Sequence, residues 1–149
     1  MRIVFDSNVL ISGFLFGGNP REVLRLCSSG KVINCISPAI IQEVEAVLHR
    51  PKFALSSEQV YRIIGLFRDT FMMVTPKNQV DFITLDPDDD RILEAADAAE
   101  AKMIVSGDKH LLELVSWKDI LIMTPADFLK VLSEEKRGKW TPVDEEMLD

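Results

Sequence analysis

Two cysteines and two histidines are all that the 149 residues hold of the usual transition-metal ligands. Cys27 and Cys35 stand in apolar surroundings, which suits buried reduced thiols better than a disulfide framework. His49 and His110 lie far apart, and no Cys/His spacing of a zinc site occurs. Long apolar runs are absent too. None reaches the length that spans a bilayer, and the apolar start is broken by Asp6 and Asn8 without a small-residue cleavage site, so the expectation is a soluble, cytoplasmic protein with no membrane contact. There is no Gly-rich phosphate loop and no recognisable Ser-His-Asp arrangement, which sets aside P-loop and triad chemistry. Basic charge is also short, with 17 Lys and Arg against 24 Asp and Glu and a net charge of −7. Taken alone this argues against a nucleic-acid partner. The argument reverses locally if clustered carboxylates hold divalent cations.

What is present is ordinary globular material. The hydrophobic fraction is 47% and the aromatic fraction 7%, in a chain long enough for one core. Five apolar runs read as buried strands: Arg2–Phe5, Val32–Ile36, Phe71–Val74, Met103–Val105 and Ile120–Met123. They are nearly continuous rather than alternating, as in strands covered on both faces. Helical signals fall between them. Pro20 begins a helix to about Ser29, closed by Gly30. Ser37-Pro38 caps a helix with Ile40, Ile41, Val44, Val47 and Leu48 on one face. Ser56 to Gln59 is a capping box, Asp88 to Ala101 is rich in Ala, Leu and Glu, and Pro125 opens a last helix. Alternating strands and helices predict an α/β domain over residues 1–135, with a parallel sheet and helices on both faces. Residues 136–149 are charged and lack an apolar period. They read either as a disordered tail or as a segment that docks on a partner through Trp140.

In open α/β sheets ligands bind beyond the carboxyl ends of the strands. Asp6 follows the first strand and Asp108 the fourth, in "IVSGD". Asp90 lies in "DPDDD" at a helix start, and Glu43 lies on the helix after the second strand. All four can converge on one edge. Each also has an ordinary structural role. Asp6 can mark the exit from the core, Asp108 can cap "KHLLEL", and the Asp run can favour a helix N-terminus. Glu43 and Glu45 border the apolar stripe on opposite sides, and the pattern does not choose between them. Clustered oxygen ligands with room for water suit Mg²⁺ or Mn²⁺, and two such ions can drive in-line attack of water on a phosphodiester without a nucleophilic side chain.

At these residues the sequence resembles PIN-domain ribonucleases, and more narrowly the PIN proteins that are toxins of toxin–antitoxin pairs. The resemblance covers roughly Met1 to Leu132 and rests on "IVFDSNVLIS", "ISPAIIQEVEAVLHRPKF", "DPDDDRILEAADAAEAKMIVSGDKHLL" and "IMTPADFL" in that order. It implies a five-stranded parallel sheet ordered 3-2-1-4-5 and Mg²⁺- or Mn²⁺-dependent hydrolysis of single-stranded RNA. It further implies a small antitoxin protein over the acidic pocket, and a homodimer or higher oligomer. Residue by residue, it gives Asp6, Glu43, Asp90 and Asp108 as the metal-holding catalytic acids, with Glu43 chosen over Glu45. Asp89 competes with Asp90 for the third position or stands behind it. Ser7, Asn8 and Ser106 would orient ligands or water; Ser106 stands where the family commonly has Thr.

Arg21, Arg25, Arg50, Lys52, Arg91 and Lys109 edge the site and are candidates for phosphate contact, with solvated charge balance as the plain alternative. Phe14 and Phe16 could stack on bases, or belong to the core or an interface. Three rival classes share features with this pattern. A haloacid-dehalogenase-like phosphatase would use Asp6 as nucleophile, but it usually has a second Asp where this chain has Asn8. A PIN fold could bind RNA or protein without turnover. A receiver-like signalling domain would need an acceptor Asp near the middle strand and a Lys near the fifth, which the spacing does not provide.

Overall fold

Ile3, Val4 and Phe5 are almost completely shielded from solvent, because their strand, β1 (Arg2–Phe5), lies in the middle of the sheet. The computed structural model describes residues 1–27, 32–80 and 87–136. On one side β1 pairs in parallel with β2 (Ile33–Ile36), which pairs with β3 (Met72–Met73). On the other side it pairs in parallel with β4 (Met103–Val105). Past β4 come a short strand β5 (Ser116–Trp117) and then β6 (Ile120–Met123), which pairs with both, giving the order β3-β2-β1-β4-β6-β5. The five expected strands therefore take the expected order. The correction is that the sheet has six strands and is mixed, since β5 runs antiparallel to β6.

That extra strand comes from a hairpin whose two loop residues, Lys118 and Asp119, both have positive φ (48° and 64°). Two left-handed residues match the twist of a tight hairpin. Lys-Asp lacks the Asn-Gly signature that would advertise such a turn, so the strand is silent in the sequence.

The helices are α1 (Ser7–Leu15), α2 (Gly18–Cys27), α3 (Pro38–Leu48), α4 (Ser57–Thr70), α5 (Pro87–Ala99), α6 (Lys109–Leu114) and α7 (Pro125–Lys136). Ser37 caps α3 with its hydroxyl accepting from the Ile40 N–H, and Ser56 and Gln59 complete the capping box of α4. Helix α2 starts at Gly18, before Pro20; its expected end at Ser29–Gly30 lies outside the described residues, as do Asp86 and the segment 137–149 with Trp140. Helix α1 has no counterpart in the strand-and-helix reading, because its sequence is apolar all round with Gly13 inside. That glycine is needed where α1 meets α2. A Cβ there would stand 2.6 Å from Leu24 Cδ1 and 3.0 Å from the Pro20 backbone. Parallel connections run to both sides of β1, and the right-handed crossover that such connections take puts helices on both faces of the sheet. Helix α5 packs on β1, β2 and β4, and its Leu93, Ala95 and Ala96 are fully buried. Phe71 meets both Phe5 and Phe67, and Phe67 meets Phe14, tying α1 and α4 to the central strand.

Candidate active site at the carboxyl edge of the sheet

Strand connections diverge at β1, so the crevice beyond the carboxyl ends of β1 and β4 is the topological switch point. Phe5 pairs with Val105, and the ladder continues as the Asp6 N–H donates to the Val105 carbonyl at 2.9 Å. The next residues along, Asp6 and Ser106, therefore emerge side by side. Both are buried: Asp6 is 5% exposed and Ser106 is fully enclosed.

Hydroxyl groups link the acids. Ser106 Oγ donates to Asp6 Oδ2 at 2.6 Å and accepts from the Asp108 N–H at 2.9 Å. The other Asp6 oxygen, Oδ1, accepts from the Asn8 N–H at 3.0 Å and so caps α1. Ser7 Oγ donates to Glu43 Oε2 at 2.6 Å, which ties α1 to α3. Asp108 caps α6, its Oδ1 accepting from the N–H groups of His110 and Leu111. Asp6 and Asp108 are thus joined through Ser106, and a third expected acid, Glu43, is held by Ser7, the residue next to Asp6 in the chain. Glu43 is half-buried, whereas Glu45 is exposed.

Asp90 reaches the same edge by a different route. Arg2, at the start of β1, donates to the Ala99 carbonyl at the end of α5. The C-terminus of α5 therefore lies at the opposite edge of the sheet, and its first turn lies at the carboxyl edge. Asp89 and Asp90 are both buried in that turn, at 5% and 2% exposed. Glu94, one turn beyond Asp90, is buried as well. Its Oε2 accepts from the Val80 N–H at 2.8 Å and its Oε1 lies 2.9 Å from Arg91 Nε. Sequence reasoning missed Glu94, although the Asp90-to-Glu94 spacing of one helical turn was there to be read.

The donors are carboxylate and hydroxyl oxygens without His or Cys, a set that suits Mg²⁺ or Mn²⁺ in kind. Among the described residues, no three acidic, His or Cys side chains form a group that could hold one ion.

The expected basic residues have assorted surroundings. Arg21 donates to the carbonyls of Gly13 and Phe14 and so closes the end of α1. Arg25 pairs with Glu22, holding that carboxyl below and the guanidinium above its ordinary value. Besides its contact with Glu94, Arg91 donates to the Val80 carbonyl. Lys109 stands 4.0 Å from Glu113. Lys52 lies over the Phe53 ring, and Arg50 is exposed at the turn Pro51–Phe53. Phe14 packs into the core, while Phe16 is exposed and faces Phe53. Cys27 and Cys35 are free and buried, and burial pushes the Cys27 thiol up to about 12. Among the described residues no helix is long and apolar enough to cross a membrane.

The fold and the acids at its switch point define a class, and comparison with known proteins gives it a name. The family model of the PIN domain matches residues 2–110. The chain belongs to the PIN domain family, and the phosphatase and receiver readings fall with that assignment. One relative, the uncharacterized protein MJ1680 of Methanocaldococcus jannaschii, is 27% identical over 118 residues, 76% of this chain and 75% of that one. Two solved structures share the fold. One is VapBC2 from Rickettsia felis bound to a DNA fragment from its promoter, with TM-score 0.60 and 12% identity over 82% of this chain and 97% of that chain. The other is VapBC-1 from nontypeable Haemophilus influenzae, with TM-score 0.56 and 17% identity over 85% of this chain and 99% of that chain.

Proposed function

We propose that the protein is a Mg²⁺- or Mn²⁺-dependent endoribonuclease that hydrolyses single-stranded RNA, and that it is the toxin of a toxin–antitoxin pair. The observation that carries this is the pair of hydroxyl-held sets, Asp6–Ser106–Asp108 and Glu43–Ser7, at the switch point of a PIN fold. Asp6, Asp90 and Asp108 would hold the ion, with Glu43 acting through water or on a second ion. The ion supplies neutralisation of the charge that builds on the phosphate. The protein's own residues do the positioning. Ser106 fixes the Asp6 carboxylate against β4, Ser7 fixes Glu43 against α1, and the Asn8 N–H holds the second Asp6 oxygen. Asp89, buried in the same turn, would support Asp90. Arg50 and Lys52 are exposed basic candidates for contact with RNA phosphates. Arg21, Arg25, Arg91 and Lys109 would contribute from the periphery of their present contacts.

The likeness in fold to chains of two VapBC structures supports a small antitoxin protein as partner. A homodimer or higher oligomer and a cytoplasmic location complete the proposal.

The decisive experiment is cleavage of an end-labelled single-stranded RNA with Mn²⁺, with Mg²⁺ and with EDTA, beside an Asp6→Asn control. Metal-dependent cleavage that disappears in the control is the expected result. Equal cleavage by Asp6→Asn and Asp108→Asn proteins would refute the site. The second reading is a PIN module that binds RNA or protein without turnover. Metal bound at the site with no cleavage of any RNA offered would select it.

A further inference from the structure

Residues 7–21 and 46–57 contain no Asp or Glu, in a chain that holds 24, and they supply Arg21, Arg50 and Lys52. Of the acids that bound these stretches, Glu22 pairs with Arg25 and Glu45 lies in the cleft between α3 and α4. The fold brings the two stretches together at the far end of α1. Phe16, which closes α1, is 70% exposed and meets Phe53 with ring centroids 6.0 Å apart. Lys52 Nζ lies 5.1 Å from the centre of the Phe53 ring. The Arg21 guanidinium lies beside Gly17, where a Cβ would stand 3.6 Å from Arg21 Nη1. Arg50 is exposed, and its carbonyl accepts from the Phe53 N–H at 3.1 Å. Among the described residues none of these three cations pairs with a carboxylate, and the bonds of Arg21 go to neutral carbonyls. The backbone beneath the rings is fixed. The Phe16 N–H donates to the Ser12 carbonyl at 2.9 Å, and the Ala54 N–H closes the turn on the Pro51 carbonyl at 3.0 Å.

An exposed ring among unpaired cations suits a polyanion that also offers flat apolar faces. Single-stranded RNA does both, because its phosphates attract Arg and Lys while its bases stack on aromatic side chains. A second copy of the chain suits less well. In a two-fold contact the patch meets itself, which would set cations against cations. The position also fits. Helix α1 runs nine residues from Ser7, beside Asp6, to Leu15, so Phe16 stands about 14 Å along it at about 1.5 Å per residue. A stacked strand advances about 3.4 Å per nucleotide, and roughly four nucleotides cover that distance. We propose that Phe16 and Phe53, flanked by Arg21, Arg50 and Lys52, form a platform on which single-stranded RNA stacks a base about four nucleotides from the bond that is cut. Any base serves, since each has a flat face. The proposal rests on the ribonuclease reading above for its substrate.

Phe16 is the residue to change, being exposed and outside the acids and their supports. Fluorescence anisotropy would compare a labelled single-stranded oligouridylate with an abasic strand of the same length, using the full chain carrying Asp6→Asn so that binding is read without turnover. Tighter binding of the strand that has bases is the expected result. Its Kd should rise roughly five- to thirtyfold in Asp6→Asn/Phe16→Ala, the lower part of the range for one lost stacked base, while the abasic strand binds as before. Asp6→Asn/Phe16→Trp keeps a ring and should keep the preference. Asp6→Asn/Lys52→Gln should weaken both strands alike and reduce the slope of log K against log salt by about 0.7. Equal binding of the two strands by the Asp6→Asn chain, or a preference untouched by Phe16→Ala, would overturn the proposal. If the unmutated chain cleaves no RNA, the nuclease reading fails by itself, and these binding measurements still judge the platform. Sedimentation velocity reads the rival occupant. An oligomer that falls apart in Phe16→Ala while RNA binding holds would make the ring pair a contact between copies and refute the platform.

Discussion

Replacing Ser106 with alanine should damage the site and the fold together. The side chain is fully buried, so water cannot take the place of its hydroxyl. It donates to a buried carboxylate oxygen of Asp6 and accepts the Asp108 N–H, and both bonds are short. A hydrogen bond to a charged group contributes roughly 1.5–3 kcal/mol, and a donor left without an acceptor costs about 1–3 kcal/mol more. Asp108 is half-exposed, so water recovers part of the second amount. The expected loss is therefore about 2–4 kcal/mol. For a domain of this size that lowers Tm by roughly 4–16 °C. A double-mutant cycle isolates the contact. Comparing Ser106→Ala, Asp6→Asn and the double variant by urea unfolding should give a coupling energy of about 1–3 kcal/mol. RNA cleavage should fall by roughly 10–100-fold in the single variant Ser106→Ala, the usual loss when the group orienting a ligand is removed. A coupling near zero would show that the two residues are neighbours without a bond that matters, and the positioning role of Ser106 would have to be abandoned.

Three further outcomes are expected. The buried Cys27 thiol, raised to about 12 with Cys35 also raised, gives the folded state more bound protons than the unfolded chain above the ordinary thiol range. Stability should therefore hold below about pH 8.5 and decline as pH rises toward the folded value, and native protein at pH 8 should resist iodoacetamide. Gly13→Ala should destabilise by about 1–3 kcal/mol, because its Cβ meets backbone as well as Leu24. Gly65→Ala in α4, where nothing lies within 4 Å, should stabilise by about 0.5–1 kcal/mol. Chemical denaturation of the pair tests whether tight approach or helix propensity governs each site. Glu94→Ala should cost roughly 1–3 kcal/mol by leaving the Val80 N–H without its acceptor. Unchanged unfolding would show that water replaces the carboxylate there.

The sequence by itself determined the strands that matter most. Ile3–Phe5, Met103–Val105 and Ile120–Met123 are apolar runs too continuous for anything but a covered sheet, and they appear where the pattern puts them. Local chemistry also marked the caps at Ser37 and Ser56, because a hydroxyl before a helix acts on N–H groups only a few residues away. The acids Asp6 and Asp108 were legible for a related reason: each directly follows its strand or a short turn after it.

Tertiary structure decided what depended on distant residues. Helix α1 forms from an unpromising apolar segment, since burial against α2 and α3 outweighs its weak pattern. Strand β5 exists because two residues without turn character accept positive φ once β6 is there to pair. Choosing Glu43 over Glu45 by physical means required Ser7, 36 positions away, to donate to it. Ser106 became the bridge between two acids only when β1 and β4 were laid side by side, bringing together residues 100 positions apart. Local pattern can record which groups a segment carries. Which groups meet is set by how the sheet closes over its core, because burial is collective and no single segment contains it.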